Sequence, residues 1–164
     1  MNQGKLEVVK QEMARVNVDI VGISELQWTG MGEFTSDDHY IYYCGQESLR
    51  RNGVALTVNK RVRNAVHACK LKNNRMILVS FQGKLFNITV IQVYAPTTNG
   101  ERAKVEWSYE DLQDLLELTP KTHKKMMSFS SSGMQKQDVK TYLEKQGKFG
   151  LGVQNEAGES LTEF

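Results

Sequence analysis

The stretch VDIVGISELQW, Val18 to Trp28, decides how this chain is read. Five of its first six side chains suit a buried β-strand, and "DIVGIS" is apolar on both faces, as a central strand covered on each side would be. The run then meets a carboxylate, Glu25, that burial does not account for. Either Glu25 marks the exposed end of the strand, or it faces a ligand there.

The flanks place this strand in a larger pattern. Upstream, Leu6, Val9, Met13 and Val16 recur at intervals of three, four and three, one stripe of an α-helix, with Asn17 and Asp19 as the turn into the strand. Downstream, "TGMGE" reads as a Gly-rich loop, and "HYIYYCG", "GVALTVN" and "VRNAVHAC" read as short strands. The strongest local signal is "RMILVSF-QGK-LFNITVIQVY", two β-prone runs joined by three residues containing Gly83, an antiparallel hairpin. A second helix follows "APTTNG", with Val105, Tyr109, Leu112 and Leu116 on its apolar stripe, its acids turned to water, and Pro120 at its end. From 121 to 146 neither a two-residue nor a 3.6-residue period is sustained, so the segment is expected to be divergent and irregular, with a short helix at Asp138–Lys145. Asn155 then caps a fresh helical start. These elements describe one layered α/β domain over residues 1–164.

Composition narrows the function classes. A chain of 164 residues supports one core, and no apolar run approaches the roughly 20 residues that span a bilayer, so membrane insertion is not expected. The first residues carry acids as well as bases and no continuous apolar stretch, which does not read as a signal peptide. Cys44 and Cys69 lack CxxC pairing and sit in apolar runs, so both read as buried, reduced thiols, pointing to a nuclear or cytoplasmic location. His39, His67 and His123 lack zinc-site spacing and read as surface or strand residues. The net charge of +2 announces no nucleic-acid binding by itself. Its distribution is uneven: 101–118 hold six acids against two bases, and 121–148 hold seven lysines against two acids.

A second strand end resembles the first. "ITVIQVYAP" runs apolar to Tyr94, and Pro96 then stops the pairing. Ligands in α/β sheets are commonly met at such ends, and one carboxylate with one phenol suits a hard divalent cation and a phosphate oxygen. Arg50, Arg51 and Asn52, ahead of "GVAL", are candidate contacts to a DNA backbone, although a basic turn before a strand is more often simply solvated. Arg75 reads as a strand anchor paired with an acid.

Four blocks, "DIVGISELQWTGMGEF", "RRNGVALTVNK", "NNRMILVSFQGKLFNITVIQVYAPT" and "GKFGLGVQNEAGESLTEF", resemble in order the endonuclease domain of RTE-type non-LTR retrotransposons of the Bov-B clade. That domain lies in the endonuclease/exonuclease/phosphatase superfamily, and the resemblance covers about 1–120 and 147–164. It implies a four-layered α/β sandwich and Mg²⁺- or Mn²⁺-dependent phosphodiester hydrolysis that nicks DNA. It further implies that Glu25 binds the metal and that Tyr94 hydrogen-bonds the scissile phosphate. The family's site also uses an Asn on a strand ahead of the first helix, a Gly-Asp-x-Asn block after the acidic helix, and an Asp-His pair near the domain's C-terminus. Met1 follows the first of these, no Gly-Asp-x-Asn occurs in 1–164, and the sequence ends ahead of the third. The expectation is therefore an incomplete sandwich, catalytically silent, with weak or absent metal binding. Unpaired edges at "DIVGIS" and "ITVIQVY" would then invite a protein partner.

Overall fold

A computed structural model of the chain describes residues 3–48, 50, 53–94 and 102–130. In chain order the elements are α1 (Gln3–Val16), β1 (Ile20–Leu26), β2 (Met31–Ser36), β3 (His39–Cys44), β4 (Gly53–Asn59), α2 (Lys60–Arg63), β5 (Val66–Asn73), β6 (Met76–Phe81), β7 (Ile88–Tyr94), α3 (Arg102–Leu118) and β8 (Lys124–Ser130). They form a mixed α/β fold with two four-stranded sheets, ordered β1-β4-β3-β2 and β5-β6-β7-β8. The first sheet is antiparallel throughout, and the second is antiparallel except for the parallel pair β7 and β8.

Side-chain alternation builds the layers. Val54, Leu56 and Val58 of β4 meet Ile77, Val79 and Phe81 of β6 and Val90 and Tyr94 of β7 in one apolar cluster between the sheets. The opposite faces of the same strands serve the helices. Leu6 of α1 covers Leu26, Ile41 and Ala55 on the first sheet, while Leu112, Leu115 and Leu116 of α3 cover Met76, Leu78, Ile91, Val93 and Met127 on the second. Polar ties fix both helices. Lys10 of α1 reaches Ser36 and Asp37, and Lys72 of β5 bridges Asp111 and Asp114 of α3 at 3.6 and 3.1 Å.

Several expectations are corrected. The Gly-rich stretch at Met31–Glu33 is strand, not loop: Gly30 turns the chain at φ 75, and Gly32 leaves room for the Tyr43 ring. The first part of "VRNAVHAC" is a helical turn capped by Asn59, whose side chain accepts from the Arg61 amide at 3.0 Å. The β6–β7 hairpin is present, but its connection runs from 82 to 87. There Gly83 sits so close to the Phe86 carbonyl that a Cβ would lie 2.2 Å from it. The α1 stripe is turned toward Leu6, Lys10 and Met13, leaving Val16 exposed, because Lys10 buries its stem and sends its amine to the carboxylates of Glu7 and Asp37.

Two larger corrections concern the sheets. β1 is not central: among the described residues it pairs with β4 alone. The segment expected to be irregular contains β8, which lies parallel to the whole of β7 from Ile88 against Lys124 to Tyr94 against Ser130. The β7 edge is therefore paired, and the exposed edge expected there does not exist. Pairing and the burial of Met127 override a weak local preference. Residues 131–146, including Asp138–Lys145, lie outside the described residues, as do the helical start at Asn155 and the side chain of Val105. Cys44 is buried, and burial pushes its thiol up to about 12, but Cys69 is exposed on β5. No helix among the described residues is long and apolar enough to cross a membrane.

Candidate functional site

Glu25 and Tyr94 meet. The Tyr94 hydroxyl donates to Glu25 Oε1 at 3.2 Å, where β1 of the first sheet and β7 of the second both approach their C-terminal ends. The two positions come together because the sheets pack face to face. Along β7 the two-residue period turns Val90, Gln92 and Tyr94 toward the first sheet and Thr89, Ile91 and Val93 toward the other face.

Glu25 reaches this place through a backbone irregularity. Ser24 pairs with Val54 and Leu26 with Gly53, so Glu25 is an extra residue in the ladder, a β-bulge. Its φ is 60, a left-handed conformation that costs a non-glycine residue on the order of 1 kcal/mol or more. The bulge breaks the alternation and directs an exposed carboxylate to the seam between the sheets. Burial alone does not select a charged, β-carbon-bearing residue at a left-handed position, since glycine would sit there with less strain.

Tyr94 is 6% exposed, its ring held from behind by Arg75. The Arg75 guanidinium lies 5.3 Å from the ring centroid and donates to the Tyr94 carbonyl at 3.5 Å, while the Tyr94 amide donates to the Arg75 carbonyl at 2.8 Å. Burial pulls the Arg75 guanidinium below its ordinary range, with Tyr94 opposing. Arg75 is thus the residue that sequence reasoning misassigned: its partner is the phenol ring, not an acid. Gln92 was missed as well. It is fully buried two positions before Tyr94, and its place in the period of β7 was the available signal.

Arg50 is exposed and lines a groove beside the loop that follows Glu25, while Arg51 and Asn52 lie outside the described residues. His123 holds β8 to β7 through Thr89 at 3.0 Å and Asn87 at 3.2 Å. Among the described residues no three His, Cys, Asp or Glu side chains converge as a metal-binding group, so the hard oxygen donor at this site is the Glu25 carboxylate. One carboxylate completed by water and phosphate oxygens is a donor set that Mg²⁺ accepts.

Fold and site together define a mixed α/β protein with two facing sheets and an acid–phenol pair at one end of their seam. Along its whole length the chain is similar to Craniofacial development protein 2 of Bos taurus, 63% identical over 165 residues, and to the protein of that name from Tragulus javanicus, 61% identical over 165 residues. It spans 27% and 28% of those relatives, about a quarter of their length. No family model matches the chain.

Proposed function

We propose that the chain carries part of the active-site mouth of a sandwich of the endonuclease/exonuclease/phosphatase type, related to the endonuclease of RTE-type retrotransposons. The observation that carries this reading is the Tyr94–Glu25 contact, built on a strained bulge at the seam of two sheets. In this reading Glu25 offers its carboxylate oxygen to Mg²⁺ or Mn²⁺, and Tyr94 turns its hydroxyl from Glu25 to a phosphate oxygen of DNA. Arg75 fixes the ring and places a positive charge behind it. A bound divalent cation supplies charge stabilisation at the phosphoryl and leaving oxygens.

Residues 1–164 on their own are proposed to be catalytically silent. The Gly-Asp-x-Asn block that orients the attacking water in the family does not occur in 1–164, and losing one preorganised electrostatic group commonly costs about 10²–10³ in rate. The test is a Mn²⁺ titration by calorimetry alongside a supercoiled-plasmid nicking assay. Weak binding that Glu25→Gln abolishes, with no nicking, supports the reading. Nicking lost in both Glu25→Ala and Tyr94→Phe would promote a live nuclease using substitute residues. Absence of metal binding in the wild-type chain would favour the second reading, a co-opted interaction or chromatin-associated module, nuclear or cytoplasmic. The relatives carry a developmental name, which suits that alternative.

A further inference from the structure

We propose that the groove between α1 and the outer face of the first sheet stacks an unpaired nucleobase, so that the strand recognised here is single-stranded or locally opened. The inference rests on the nucleic-acid reading above and deepens it by naming the form of the substrate. The groove holds about 830 Å³ and is walled by Trp28, Phe34 and Tyr43, with Leu6 of α1 on one side and Arg50 on the rim. The three rings contact one another edge to face, with centroids 5.2 Å (Trp28 to Phe34), 5.3 Å (Trp28 to Tyr43) and 6.0 Å (Phe34 to Tyr43) apart. Phe34 is 36% exposed, and Trp28 and Tyr43 are half-buried against the Leu6, Leu26, Ile41 and Ala55 cluster, so the three rings present part of their aromatic surface to solvent.

The wall is preorganised. Gly45 donates its amide to the Gly30 carbonyl at 2.7 Å, and a Cβ on Gly45 would fall 1.9 Å from the Trp28 carbonyl oxygen, so the 28–30 loop is seated directly on β3's exit. Such a seat holds Trp28 in place without the ordering cost that a loose loop would pay on binding. Charge supports a phosphate-bearing ligand. The groove's two carboxylates, Glu7 and Asp37, are both engaged by Lys10, while exposed Arg50 has no ion-pair partner among the described residues. Aromatic faces that stack bases beside a cation that meets the backbone are the recurring means of holding single strands. The groove's Gln27–Thr29 wall begins two residues after Glu25 in the chain.

The experiment uses chain 1–164 and short single-stranded oligonucleotides carrying one 2-aminopurine, read by quenching of its fluorescence. Saturable quenching is expected, weakened about tenfold or more by Phe34→Ala and by Arg50→Ala and restored by Phe34→Trp. Both truncated positions are exposed, and circular dichroism checks that the variants remain folded. Competition by unlabelled oligonucleotide of the same length should fail when that oligonucleotide is abasic or fully duplexed. Equal competition by the abasic strand, or quenching indifferent to Phe34→Ala, overturns the proposal. Loss of stacking with Mn²⁺ binding intact refutes this inference alone, whereas stacking without Mn²⁺ binding refutes the metal site and leaves the groove standing.

Discussion

Tyr94 on β7 donates its hydroxyl to Glu25 on β1 at 3.2 Å, joining residues 69 positions apart across the seam of two sheets. A contact between sheets should appear as a coupling energy. A double-mutant cycle of Glu25→Gln and Tyr94→Phe in urea denaturation is expected to give about 1 kcal/mol or less, because the carboxylate stays in contact with water. Strict additivity would mean that the pair is adjacent without being bonded.

The positive φ of Glu25 makes a separate prediction. Glu25→Ala and Glu25→Gly both lose the Tyr94 hydrogen bond, and they differ in how well the residue suits a left-handed backbone. Glycine should therefore be the more stable variant by about 1 kcal/mol, the reverse of the usual order in a strand. Thermal denaturation of the two variants side by side reads this out, and an alanine variant of greater stability would show that the bulge relaxes.

β8 is expected to be an integral strand. Met127 is fully buried against Ile91, Leu112 and Leu115, so Met127→Ala should cost about 2–5 kcal/mol in urea denaturation. Amides of β7 should be protected from hydrogen exchange to the same degree as those of β6, since β7 has a partner on each side. Rapid exchange along β7 would return 124–130 to an irregular state.

Acidification should destabilise the fold through His39. Burial, reinforced by the Lys10 cation and opposed by Asp38, Asp37 and Glu7, lowers its pKa from 6.5, and neither ring nitrogen has a hydrogen-bond partner among the described residues. The unfolded chain then takes up the proton more readily than the folded one. The contribution is complete above pH 6.5 and is lost as pH falls from there through the lower folded value. Asp37 acts in a different window: its hydrogen bond to Lys10 lowers its pKa from 3.8, so its contribution is lost only under more acidic conditions. Melting temperature should drop between roughly pH 7 and 5, and His39→Gln should flatten that slope. An unchanged slope would place the titration elsewhere.

Period and apolar content determined much of this protein from its sequence. The two helices, β1, β3 and β4, and the β6–β7 pair follow from local spacing, because burying one face fixes a period of 2 or 3.6 whatever the partner turns out to be. The oddity of Glu25 and the end of β7 at Tyr94 were legible for the same reason, as departures from that period. Tertiary structure alone decided what these departures meet. Sheet packing brings Glu25 and Tyr94 together, seats Arg75 behind the phenol and gathers Trp28, Phe34 and Tyr43 around one groove. It also pairs Lys124–Ser130 with β7, where the local pattern offered no strand, and leaves β1 with β4 as its one partner among the described residues. Contacts between residues distant in sequence depend on which faces and edges the rest of the chain supplies, and no local period carries that information.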